Sequence, residues 1–224
     1  MRSLDGRVPL LAALVGSVAL SAPAADAPAH RFEEAVRRFE EKDKADPPPR
    51  GAILFMGSST IVGWDTRKHF PARVTINRGF GGSTIADSLH FADRITIPYA
   101  PKTIVFYAGD NDIAKKATPA QVLADYQAYV KKVHAALPET RIYYIAIKPS
   151  IRRWELWPAM REANALIETY CKTDKRLGYI DIVPVTLGAD GTPDPAIFKQ
   201  DGLHLNEDGY TRWSGVVEKA LARP

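Results

Sequence analysis

One cysteine, Cys171, is all that the 224-residue chain contains. That scarcity excludes an internal disulfide and a thiolate cluster for structural zinc. No His-Glu-x-x-His occurs, so the usual helix-borne zinc hydrolase site is missing, and without Gly-Lys-Ser/Thr there is no Walker A phosphate loop. The stretch Asp190-Gly191-Thr192-Pro193-Asp194 is too short for a calcium loop. Charge of one sign is scarce as well, since 30 Lys+Arg against 26 Asp+Glu leave a formal net charge of only +4. The basic residues gather in no more than pairs, among them Arg37-Arg38, Lys115-Lys116, Lys131-Lys132 and Arg152-Arg153. A stripe able to neutralise phosphates is absent, and no nucleic-acid partner is expected. What is present is an ordinary globular composition, 46% hydrophobic and 25% charged, with 15 Gly and 17 Pro spread along the chain. Low complexity and disorder are thereby excluded.

Long apolar runs are confined to the N-terminus. Arg2 and Arg7 precede Val8 to Ala22, which is apolar apart from Gly16, Ser17 and Ser21, and Ala25-Asp26-Ala27 follows. A basic region, a short apolar stretch and A-x-A in that order read as a secretory signal over residues 1–27. The run falls short of the ~20 residues that a spanning helix needs. The expectation is therefore an exported protein, periplasmic or secreted, with no stable membrane span once the signal is cleaved. The remainder suits one domain with a sizeable core.

Residues 28–50 read as a leading amphipathic helix and a Pro-rich linker. Phe32, Ala35, Val36 and Phe39 recur at helical spacing, and Pro47-Pro48-Pro49 stops the helix because successive prolines lack its donors. Beyond, over residues 51–224, strand and helix alternate. The short apolar runs at 52–56, 103–107 and 142–147, with weaker ones at 74–76 and 179–183, suit strands buried on both faces of a parallel sheet. Helical stretches fall near 85–95, 119–136, 158–173 and 207–222, and Thr118 with Pro119 forms a good helix start. The fold class is α/β, a three-layer α/β/α sandwich around a mostly parallel five-stranded sheet. Ligands of such sheets bind beyond the carboxyl ends of the strands.

Four segments occupy those ends. Gly57-Ser58-Ser59-Thr60 follows strand one and reads either as a helix N-cap or as a nucleophile site. Asn77-Arg78-Gly79-Phe80-Gly81-Gly82-Ser83-Thr84 follows strand two. Its glycines allow backbone amides to approach a ligand, but Thr84 stands where a dinucleotide fingerprint needs its third glycine. Gly109-Asp110-Asn111-Asp112 follows strand three and is both ordinary turn chemistry and a source of a side-chain amide donor. Asp201-Gly202-Leu203-His204 precedes the last helix, and the carboxylate three residues before His204 can orient its ring as in a serine hydrolase triad. His30, His69, His90 and His134 read as packed or solvated imidazoles, and Trp64 and Trp213 as core. The Gly-x-Ser-x-Gly elbow of α/β-hydrolases is absent.

In order, these segments resemble the sequence blocks of the SGNH, or GDSL-type, esterase and lipase superfamily. Gly57-Ser58-Ser59 stands for Gly-Asp-Ser, Asn77 to Gly82 for the glycine turn, Gly109 to Asp112 for Gly-x-Asn-Asp, and Asp201 to His204 for Asp-x-x-His. Ser58 departs from the first block, a variant similar to platelet-activating-factor acetylhydrolases and lysophospholipase-like esterases. The resemblance implies a flavodoxin-like SGNH hydrolase fold and a serine esterase working through an acyl-enzyme. It implies Ser59 as nucleophile, His204 as base, Asp201 as its orienter, and an oxyanion hole from the Ser59 and Gly82 amides and the Asn111 side chain. No cofactor or metal is implied. The loop 148–158, with Trp154, Trp157, Arg152 and Arg153, is expected to overhang the substrate, with Trp154 and Arg153 the candidate contacts. Short-chain or acetyl esters of glycans or small lipids are the expected substrates. Lysophospholipids or thioesters, and a non-catalytic module binding acylated glycans, are the competing readings.

Overall fold

The computed structural model describes residues 30–222; the expected export signal, 1–27, lies outside the described residues. The leading helix, α1 (Glu33–Ala45), buries Val36 completely and packs Phe32, Ala35 and Phe39 on the core. Arg94 fastens it, placing Nε and Nη2 each 2.7 Å from the Glu40 carboxylate and Nη1 2.7 Å from Glu33.

After the proline run come β1 (Ile53–Gly57), the short helices α2 (Ser59–Val62) and α3 (Thr66–His69), β2 (Thr75–Gly79), α4 (Ile85–His90), α5 (Ala92–Ile95), β3 (Thr103–Tyr107), α6 (Asp110–Ala114), α7 (Pro119–Ala136), β4 (Arg141–Ile145), α8 (Trp157–Cys171), β5 (Leu177–Ile180), α9 (Val183–Thr186) and α10 (Glu207–Leu221). The five strands are all parallel, in the order β2-β1-β3-β4-β5. Helices cover both faces, so the expected three-layer α/β architecture is the one observed. The period-two alternation of strands explains why the runs are continuously apolar. Leu54 and Met56, Ile104 and Phe106, Ile142 and Tyr144 enter one core cluster with α1, α4, α5, α7 and α8. Phe55, Val105, Tyr107, Tyr143 and Ile145 enter the other with Ile61, Trp64, Trp213 and Val217.

The largest departures from the expected boundaries are at three places. The stretch 85–95 is two helices, because the buried Phe91 leaves helical geometry (φ −92°, ψ 5°) with its ring edge-on to Phe80. β2 runs on to Gly79 through Arg78, whose charge hid it; the guanidinium is buried and paired with Asp43 and Tyr99. β5 ends at Ile180 because the Asp181 carboxylate accepts from the Val183 amide and Pro184 starts α9.

β1 lies between β2 and β3, so the chain leaves β1 in one direction and crosses back over it to reach β3. Ligand crevices form at such reversals. Gly57 is level with Gly79 on one side and Tyr107 on the other, which brings the segments after β1, β2 and β3 to one edge.

Candidate active site

Gly57 makes the turn out of β1 possible. Its φ is +145°, and a Cβ there would lie 1.8 Å from the Tyr107 carbonyl oxygen. The chain then enters α2 with Ser58 at the N-cap position and Ser59 at the first helical residue. Ser58 contributes its backbone, its amide donating to the Tyr107 carbonyl at 3.0 Å and its carbonyl accepting from Ile61 at 2.9 Å. Its hydroxyl does not cap the helix; it is fully buried without a hydrogen-bond partner. Ser59 is the partly exposed serine of the pair, and its Oγ lies 3.1 Å from His204 Nε2.

His204 is held from behind. Asp201 Oδ2 accepts from Nδ1 at 2.6 Å, while Oδ1 accepts the Leu203 and His204 amides, each at 2.9 Å. Three hydrogen bonds, that from the imidazole largest, hold the Asp201 carboxyl well below the usual carboxylate range. Gly202, in the left-handed region at φ +63°, allows this tight turn.

The second segment faces Ser59, and the third is tied to the second. Phe80 donates its amide to the Gly57 carbonyl at 2.9 Å, and a Cβ on Gly81 would stand 3.9 Å from that of Ser59. Gly82 adopts φ +80°, and nothing lies within 4 Å of where its Cβ would point, so the turn borders open space. As first residue of its helix, Ser59 has an amide without an intrahelical acceptor. Asn111 is 8% exposed, and its Nδ2 donates to the Ser83 carbonyl at 3.0 Å. Asp112 Oδ1 accepts the Ile85 amide at 3.0 Å, tying the glycine turn to α6.

A buried layer lies beneath, which the sequence reading missed. Lys148 is 1% exposed, and its Nζ reaches Asp110 Oδ2 at 3.1 Å, Tyr107 Oη at 3.0 Å and Thr60 Oγ1 at 3.2 Å. Tyr210 adds a hydrogen bond to the Thr60 carbonyl at 2.9 Å. Burial alone would push the Asp110 carboxyl up; Lys148 and Arg153 outweigh it and leave it below its ordinary value. A lysine directly after the apolar run 142–147 was the available signal, but its partners come from three other elements.

Loop 148–158 is pinned over this edge. Arg152 donates its amide to the Gly202 carbonyl at 3.0 Å, and Arg153 Nη2 donates to Asn111 Oδ1 at 3.0 Å. Arg153 thus lies against Asn111 and Asp110 at this edge. Trp157 packs on the core, and Trp154, 37% exposed, stacks on it at 6.3 Å between centroids and 11° between planes. His69 and His134 are accounted for by packing, beside Glu207 and on the Thr140 carbonyl. Among the described residues no group of three or more His, Cys, Asp or Glu could hold a metal ion. No helix among them is long and apolar enough to cross a membrane.

A sequence-family model described as the GDSL-like Lipase/Acylhydrolase family matches residues 55–212. No curated protein matches the chain. Among solved structures, a Streptococcus pneumonia protein assigned as a platelet activating factor is 20% identical with a TM-score of 0.75, over 84% of this chain and 92% of that one. A GDSL-like lipase from Bacteroides thetaiotaomicron is 20% identical with a TM-score of 0.70, over 83% and 96%. An acetyl-xylooligosaccharide esterase from Geobacillus Stearmophilus is 12% identical with a TM-score of 0.63, over 79% and 96%. At these identities the likeness is one of fold.

Proposed function

The chain belongs to the GDSL-like lipase/acylhydrolase family and is a carboxylic ester hydrolase; from that premise we propose that it works through a Ser59-His204-Asp201 triad and an acyl-enzyme. The observation that carries the reading is the relay from Ser59 Oγ to His204 Nε2 at 3.1 Å and from Nδ1 to Asp201 at 2.6 Å. A serine hydroxyl is a poor nucleophile until a base takes its proton. His204 accepts that proton as Ser59 Oγ bonds to the ester carbonyl carbon, and Asp201 holds the tautomer whose Nε2 is free. The negative oxygen so formed is met by the Ser59 and Gly82 amides and by Asn111 Nδ2. His204 then protonates the departing alcohol. Water, losing a proton to the same imidazole, attacks the acyl-enzyme carbonyl, and Ser59 leaves with its proton restored.

The substrates we propose are short-chain or acetyl esters of a soluble alcohol, glycan acetyl esters foremost, met in an exported compartment. Support comes from the exposed, flat Trp154 ring on the loop that reaches Gly202 and Asn111, a surface suited to a sugar face. The N-terminal order of basic, apolar and small residues supports export.

The test is covalent labelling with a fluorescent organophosphonate. Labelling that vanishes in Ser59→Ala and persists in Ser58→Ala is expected. Loss in Ser58→Ala with retention in Ser59→Ala would reassign the nucleophile, and a folded wild-type protein that never labels would favour the binding module.

A further inference from the structure

Arg153 approaches Asn111 in an unusual way for a residue of a surface loop. Its backbone (φ −123°, ψ 26°) interrupts the 3-10 turns of residues 151–156, and its side chain is 18% exposed. Nη2 donates to Asn111 Oδ1 at 3.0 Å and Nη1 lies 3.4 Å from Asp110 Oδ2. At the other end of the same amide, Asn111 Nδ2 donates to the Ser83 carbonyl at 3.0 Å. A donor therefore faces the amide oxygen and an acceptor faces its nitrogen. Turning the amide over would oppose donor to donor and acceptor to acceptor, leaving buried polar groups unsatisfied. A side-chain amide carries two N–H hydrogens. With one committed to Ser83, the direction of the second is fixed.

We propose that Arg153 is a positioning residue for the oxyanion hole: it locks the Asn111 amide with its free N–H aimed at the oxyanion, and its charge on the amide oxygen polarises that N–H into a stronger donor. The inference rests on the reading of Asn111 as an oxyanion donor. Charge-assisted hydrogen bonds are roughly twice as strong as neutral ones, and a planar fork that hydrogen-bonds Asn111 through Nη2 while Nη1, without a hydrogen bond of its own, pairs in charge with Asp110 is something a lysine cannot reproduce. Asp110 is the anchor of that fork, itself pinned by Lys148.

The experiment is a kinetic cycle on p-nitrophenyl acetate with Arg153→Gln, Arg153→Lys, Asn111→Ala and the Arg153→Gln/Asn111→Ala pair. Rates are taken per active serine, counted by phosphonate titration, so that unfolded protein drops out. Arg153→Gln is expected to lower kcat by about 10-fold or more with KM changed by less than about twofold, and Arg153→Lys to recover part of the loss. Placed on Asn111→Ala, the same change is expected to lower kcat by less than about twofold, because the group it acts through is gone. An undiminished loss on that background would overturn the proposal, as would a raised KM at normal kcat, the mark of a substrate contact. Asn111→Ala crippled beside a normal Arg153→Gln would overturn the positioning role alone. Near-normal kcat in Asn111→Ala would overturn the oxyanion reading beneath it. Should Arg153→Gln not fold, Arg153→Lys carries the same cycle, since it keeps a charge for Asp110 and loses the fork.

Discussion

Asp112→Asn should change how stability depends on pH more than it changes activity. Asp112 is 3% exposed; Oδ1 accepts the Ile85 amide, and Oδ2 has no partner. Burial raises its pKa to about 6, against about 3.9 for an unfolded aspartate. Between these values the folded protein holds a proton that the unfolded chain has released, so stability falls as pH rises through that window. The drop is about 1.4 kcal/mol per pKa unit, or about 3 kcal/mol in all, complete by about pH 7. Asparagine keeps the carbonyl that accepts from Ile85 and cannot ionise. Other carboxylates, Asp201 and Asp110 among them, have lowered pKa values and lose stability toward acid, but they are common to both proteins and cancel in the difference. Urea unfolding of wild type and Asp112→Asn from about pH 4 to about pH 8 should therefore show the gap between them moving by about 2.5 kcal/mol in favour of the variant, nearly all of it below about pH 7. A gap that stays constant across that range would refute the buried, unpaired carboxylate as its cause.

Two further outcomes follow from the same edge of the sheet. Lys148→Met leaves Asp110 with its buried charge short of a partner and should destabilise the fold by about 3–5 kcal/mol in urea, while Lys148→Met/Asp110→Asn should recover a large part of the loss; no recovery would mean that lysine packing, not charge, is what matters. Trp154→Ala should raise KM several-fold for an acetylated oligosaccharide and leave p-nitrophenyl acetate almost untouched, and an unchanged ratio of the two kcat/KM values would remove the ring from the substrate site.

How much of this was legible in the sequence depends on the distance over which each feature is specified. The strands were readable because residues such as Leu54-Phe55-Met56 are apolar on both faces, and that leaves a mark in a few consecutive positions. Asp201 and His204 were readable for the same reason, since three residues place the carboxylate against the ring. Ser59 could be told from Ser58 by a resemblance, but the physical difference, a buried hydroxyl against one 3.1 Å from an imidazole, appears only when α2 and the loop before α10 meet. β2 looks shorter in the sequence than it is, because Arg78 resembles the end of a strand until Asp43, 35 residues away, closes over it.

Arg153 shows where local reading fails in kind. In sequence it is one of two adjacent arginines beside two tryptophans, and a charge in a loop is naturally assigned to solvent or ligand. Its neighbour Arg152 is exposed, whereas Arg153 turns to groups 42 and 43 residues away, Asn111 and Asp110. The same crossing that carries the chain back over β1 to β3 brings Asn111 to the glycine turn at Ser83, and β4 then delivers Lys148 and Arg153 to Asp110. A sheet order of β2-β1-β3-β4-β5 therefore does more than open a crevice. It stacks the ends of β3 and β4 so that Asp110, held by a lysine and an arginine, becomes the fixed point on which the adjacent Asn111 is set. Chemistry that depends on the direction of one amide hydrogen needs a rigid second layer of this kind, and such a layer is specified by topology, beyond the reach of any single motif.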